Sequence, residues 1–173
     1  VPTQPSTPIL IAQQLLAIHD ACQLYAQQLD SGNAFVCSDL VHLWSKFWDK
    51  SQGTKILIMY NGEDIRGPFG TASVLGRVDR KFLVVVSRGR GMVVGDRGFP
   101  LYQTYQNEQP LFTTVEQVRD VLRTITFDPG WCENPNDYKG IMPFVGPREI
   151  IVDAYSIEFS IGTQLPVVTI NPE

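Results

Sequence analysis

The stretch KFLVVVS, residues 81–87, decides how the rest of the chain is read. It sets five apolar residues, Phe82 to Val86, in an unbroken row. A strand with one wet face alternates apolar and polar side chains, so a strand apolar at every position is buried on both faces. The stretch therefore predicts a central strand in a sheet. TKILIMY (54–60) reads as a second buried strand, and TASVLGRV (71–78) as a third, joined tightly to 81–87 through Asp79 and Arg80. In VDAYSIEFSIG (152–162), Tyr155, Ile157, Phe159 and Ile161 alternate with Ser156, Glu158 and Ser160, the pattern of a half-buried strand. LPVVTI (165–170) adds a short edge segment blunted by Pro166.

Helical periodicity surrounds these strands. Ile11, Leu15, Ile18, Cys22, Tyr25 and Leu29 form one apolar stripe over residues 9–30, closed by Gly32 at a left-handed cap position. SDLVHLWSKFWD (38–49) predicts a short helix capped by Ser38, whose Trp44, Phe47 and Trp48 serve either the core or a partner patch. In FTTVEQVRDVLRTI (112–125), Thr113 and Glu116 have capping-box spacing, followed by a stripe of Val115, Val118, Leu122 and Ile125. The order α, α, β, β, β, α, β implies an α+β fold, a mainly antiparallel or mixed sheet with helices packed on one face and long loops. One domain spans residues 1–173, and the Pro/Ser/Thr-rich residues 1–8 form a flexible arm.

Bulk properties narrow the function classes. Net charge is −4, whereas a duplex-binding domain normally carries a basic excess. Charged residues make up 18%, against about 25% in an ordinary globule, which fits a surface partly covered by partners or simple variation. Three irregularly spaced cysteines give no disulfide framework. No apolar run reaches the ~18 residues needed to span a bilayer.

Chemistry is sparsely signalled. The glycines of RGRGMVVGDRG (88–98) miss both the P-loop and the dinucleotide spacing, so no nucleotide cofactor is expected. Arg88, Arg90 and Arg97 resemble a short electrostatic segment for single strands, but Asp96 dilutes them. The competing reading is a loop whose arginines meet carboxylates of a neighbouring subunit. His19, Cys22, Cys37 and His42 have the donor types of a zinc shell without a C-x-x-C knuckle, and Cys22 also fits the core stripe. With two histidines and no G-x-S-x-G elbow, no catalytic residues, metal or cofactor are assigned.

VDRKFLVVVSRGRG (78–91), TTVEQVRDVLRTI (113–125), NDYKGIMPF (136–144) and VDAYSIEFSIGTQLP (152–166) together resemble the bacteriophage tail terminator proteins, minor tail proteins of the neck, and their relatives in phage-like particles and gene transfer agents. The likeness spans residues 54–170 and rests on element order and texture. It implies a non-enzymatic virion protein, made in the host cytoplasm. Such a protein forms a ring, typically a hexamer of identical copies, on the last ring of tail tube protein, ends tube polymerisation and meets the head–tail connector or adaptor. Genomic DNA passes through the bore. The family has no catalytic residues to carry over. Its contact loops correspond loosely to 61–70, 88–110 and 126–148, so the candidate subunit, partner or lumen contacts are Arg66, Arg88, Arg90, Asp96, Arg97, Tyr102, Tyr105, Trp131 and Tyr138. A head-completion or adaptor neck protein is an alternative, as is a nucleic-acid-binding module using loop 88–98.

Overall fold

The computed structural model describes residues 5–29, 32–47, 54–66, 77–89, 111–127, 132–136, 138–144 and 152–164. Among these residues three helices, α1 (Thr7–Ala26), α2 (Leu40–Phe47) and α3 (Leu111–Arg123), accompany five strands. The strands are β1 (Asn33–Cys37), β2 (Thr54–Arg66), β3 (Arg77–Gly89), β4 (Met142–Pro143) and β5 (Val152–Gln164). They form one mixed sheet in the order β1-β2-β3-β5-β4, with β1 parallel to β2 and the other pairs antiparallel. The fold is α+β.

β3 lies at the centre because its row of apolar residues feeds both faces. Phe82, Val84 and Val86 join Ile56, Ile58, Ile157, Phe159 and Ile161 beneath Ile18 and Cys22 of α1 and Val115, Val118 and Leu122 of α3. Leu83 and Val85 point the other way and join Leu57 and Met59 with Leu43 of α2 and Cys37 of β1. The two long helices thus share one face, and α2 covers the β1 end of the other. Phe159 stacks between Phe82, at 5.9 Å between ring centroids, and Tyr138, at 5.4 Å. Phe82 and Phe159, both fully buried, each contribute about 1.5–3 kcal/mol of transfer free energy.

Several expectations from the sequence are corrected. No turn occurs at Asp79-Arg80, and β3 runs without a break from Arg77 to Gly89. Its polar segment tolerates the sheet interior because each charge has a partner close by: Asp79 with Arg77, Arg80 with Glu63 and Lys81 with Asp64. Residues 71–76 lie outside the described residues, as does LPVVTI. The polar run after Tyr60 is also strand. β2 continues to Arg66 through a bulge between Tyr60 and Glu63, where Gly62 takes φ +91°. The extra residue shifts the register by one, so Glu63 pairs across from Arg80 instead of meeting Asp79.

β1 itself was not legible, since five residues between two helices carry no clear alternation. Gly32 is needed there for close approach and not as a left-handed cap: a Cβ would sit 2.3 Å from the carbonyl oxygen of Ala26. α1 ends at Ala26, short of the expected residue 30, and α2 is shorter than 38–49. α3 starts at Leu111, which puts Thr113 inside the first turn and not at the cap.

The long connection 126–148 is partly organised by backbone bonds. Isolated bridges join Cys132 to Thr163 and Asn136 to Ser160. The Lys139 N–H donates to the Glu158 carbonyl at 2.9 Å, and the Phe144 N–H to Ala154 at 2.9 Å. Residues 132–144 therefore run along β5 as an irregular edge. Within it, Tyr138 packs on Phe159, Met142 is exposed, and Trp131 lies outside the described residues.

Candidate functional site

Arg88 is the one arginine of the Arg/Gly stretch among the described residues, and it stands inside β3, not in a loop. Even-numbered residues of β3 face the helices, so Arg88 points under them. Its Nε donates to Thr54 Oγ1 at 3.1 Å and its Nη2 to Thr114 Oγ1 at 3.3 Å. Tyr25 of α1 lies close by and donates its hydroxyl proton to Gln117 of α3. Burial lowers the Arg88 pKa, partly opposed by Tyr25. Thr54 and Thr114 are buried, so this guanidinium clamps β2, β3 and α3 together where the strands begin and end. It serves as a fork within the chain.

The other candidates divide clearly. Arg66 closes β2, its backbone paired with Arg77. Tyr138 is half-buried, with Arg123 over its ring at 5.5 Å. Burial pushes its phenol up to about 12. Arg90, Asp96, Arg97, Tyr102, Tyr105 and Trp131 lie outside the described residues. The zinc quartet does not converge. Cys22 belongs to the helix-covered face and Cys37 to the opposite one. His19 pairs with Asp20 at 3.1 Å, and His42 Nδ1 accepts the Ser38 N–H at 3.1 Å.

At the far end of the long strands lies a polar knot that sequence patterns did not reveal. Arg77 Nε contacts Asp79 Oδ1 at 3.0 Å and its Nη1 contacts Glu133 Oε1 at 2.7 Å, across Gly162. This raises the Arg77 pKa, first through its hydrogen bond to Asp79. On the helix face, Gln14 Nε2 donates to Thr163 Oγ1 at 3.0 Å and approaches Cys132 Sγ at 3.2 Å. Nearby Arg80 is only 1% exposed, with Glu63 at 3.7 Å as its counter-charge. Its Nε and Nη1 make no hydrogen bond, nor does Gln14 Oε1. The knot holds a guanidinium with two of its nitrogens unbonded, and no nucleophile–base pair is found in it among the described residues.

Surface character points instead to contact. α1 has one acidic residue and no lysine or arginine in twenty. Its outward row Ile9, Leu16 and Leu24 is exposed at 51%, 59% and 66%, although its inward row already fills the core. The exposed Gln13 and Asp20 stand between them, so this face is mixed. Val36, Leu40 and Val41 add exposed apolar side chains at the β1 edge and the start of α2. The missed signal was available: the same helix carries apolar residues off its stripe, at 9, 16 and 24. Among the described residues no helix is long and apolar enough to cross a membrane.

No protein-family model matches this chain, and no curated protein matches it.

Proposed function

We propose that this chain is a structural subunit that closes into a homo-oligomeric ring, a hexamer in the simplest case, on the end of a phage-type tail tube. The ring ends tube polymerisation and presents its other rim to the head-side connector, with DNA passing through the bore. Its place would be the virion neck. The observation that carries the contact-based reading is the outer face of α1. Ile9, Leu16 and Leu24 leave a row of large apolar side chains in water on a helix almost devoid of charge. Isolated exposed hydrophobes are ordinary; three large ones on one helix face, even with Gln13 and Asp20 between them, support a contact surface. The tail assignment itself is supported by the sequence resemblance over residues 54–170. A rigid sheet with loops at both ends suits head-to-tail contacts, which close a ring when the rotation per copy divides a full turn.

The test is assembly. Sedimentation and negative-stain microscopy of the purified chain, alone and with tail tube protein, should reveal discrete rings that seat on tube ends. In particles lacking the protein, tails should lose their uniform length. A chain that stays monomeric beside tube ends, or tails of normal length without it, would overturn the reading. A head-completion role remains distinguishable because that subunit would bind the connector and ignore tubes.

A further inference from the structure

The inward row of α1 is Leu10, Gln14, Ile18, Cys22 and Ala26, and Gln14 is its one polar member. Gln14 is fully buried. A carboxamide in such a place is tolerated where its donors and its acceptor are bonded. Gln14 meets only half of that condition. Its Nε2 donates to Thr163 Oγ1 at 3.0 Å and to Cys132 Sγ at 3.2 Å. Its Oε1, closed to solvent, accepts no hydrogen bond among the described residues. A thiol sulfur is a weak acceptor, so one donor rests on a poor partner and the acceptor on none. Cys132 is itself half-exposed and held in place by backbone. It bridges to Thr163 of β5, and the Glu133 N–H after it donates to the Gly162 carbonyl at 2.8 Å. Cys132 thus stands between solvent and a buried amide whose oxygen lacks a donor.

We propose that Cys132 is a modification site, where hydrogen peroxide forms a sulfenic acid that the Gln14 carboxamide holds. The thiol first gives its proton to solvent, because the thiolate is the nucleophile. Its sulfur attacks one peroxide oxygen. An S–O bond forms as the O–O bond breaks, and the transferred oxygen keeps its hydrogen. The departing hydroxide takes a proton from solvent and leaves as water. Sulfur is oxidised by two electrons and peroxide is reduced by the same two. The product, Cys–S–O–H, supplies the O–H donor that Gln14 Oε1 lacks, while Nε2 keeps its contact with sulfur. Nor does the chain offer a thiol to resolve it into a disulfide. Cys22 and Cys37 are the other two cysteines, and both are buried. Cys22 lies eight residues along α1 from Gln14, about 12 Å of helix, and Cys37 belongs to the opposite face of the sheet. The inference stands apart from the ring reading, since it uses the inward side of α1 and not the outer one.

The experiment treats the full folded chain with hydrogen peroxide, stops the reaction with catalase, and adds dimedone after increasing delays. Peptide mass spectrometry then locates the adduct. The expected result is an adduct on Cys132, none on Cys22 or Cys37, and no disulfide without reductant. Gln14→Met keeps the length of the side chain and removes both polar atoms. With circular dichroism unchanged, it should shorten the lifetime of the sulfenic acid about three- to tenfold, the worth of one net hydrogen bond, with sulfinic acid appearing in its place. Alkylation of Cys132 by iodoacetamide, measured beside it, should change less than the lifetime does. Should Gln14→Met fail to fold, the wild type decides, since its Cys132 sulfenic acid must outlast that of the urea-unfolded chain. Absence of a Cys132 adduct overturns the proposal. So does an equal lifetime in wild type and Gln14→Met, or a change that matches the change in alkylation, which would reduce Gln14 to a cover over the sulfur.

Discussion

Replacing Arg80 with Met tests whether the buried guanidinium holds the fold or burdens it. Arg80 lies on β3 facing the helices, 1% exposed, with two donors unpaired. Each unpaired buried donor costs about 1–3 kcal/mol, so the substitution removes roughly 2–6 kcal/mol of desolvation penalty. Lost in exchange are the contact with Tyr60, at about 1.5–3 kcal/mol for a charged hydrogen bond, and the Glu63 attraction. Glu63 is more than a third exposed and 3.7 Å away, so that attraction falls in the surface range of ~0–1 kcal/mol. The carboxylate left behind reaches water, unlike the partner of a fully buried pair. Met nearly matches the volume and refills the space. The net change should be close to zero or stabilising, centred on a gain of about 1 kcal/mol, in line with other buried ion pairs replaced by apolar residues. Urea titration followed by circular dichroism reads this as an unchanged or higher midpoint at constant slope. A loss beyond about 2 kcal/mol would refute the reasoning. It would mean that the hydrogen bonding of the guanidinium is completed, for example by ordered water, and that Arg80 is an asset.

Phe159→Ala should cost about 3–5 kcal/mol in the same titration, because the ring is fully buried between Phe82 and Tyr138 and its loss also frees the 132–144 edge. Gly62→Ala should cost about 1–2 kcal/mol from backbone strain alone, since φ is +91° and nothing lies within 4 Å of the new methyl; a neutral result would mean the bulge readily re-forms another way. Stability should fall as pH rises from about 9 toward 12. Burial raises the folded-state pKa of Cys22 to about 12, above its unfolded value, so its neutral thiol favours the fold fully below pH 9 and that contribution is lost as pH climbs. Tyr138 adds to the loss from pH 10 upward for the same reason. Cys22→Ala should flatten the alkaline slope, and an unchanged slope would place its cause elsewhere. In native protein, half-exposed Cys132 should react with a thiol reagent well before Cys22 or Cys37, which are buried.

Local pattern alone was enough for the frame of this protein. Phe82 to Val86 is apolar at every position, so burial on both sides followed without knowledge of the partners. The alternation of Tyr155 to Ile161 and the stripe of α3 were equally readable, because period is a property of neighbours in sequence; in α1 the buried row, Leu10, Gln14, Ile18, Cys22 and Ala26, shares only Ile18 and Cys22 with the expected stripe. Charged residues misled where their partners are distant in the chain. Asp79 and Arg80 read as a turn until Arg77, Glu63 and the bulge at Gly62 made them strand. Arg88 read as the start of a reaching loop, and only Thr54 and Thr114, thirty-four and twenty-six residues away, reveal it as a clamp. β1 escaped notice because five residues hold too little pattern to outvote two adjacent helices; pairing with Asn33 to Cys37 is what β2 provides. The exposed apolar side chains on α1 and at Val36 belong to the same class. A sequence specifies which side chains are apolar, but whether water or protein covers them depends on which surfaces the fold has already used.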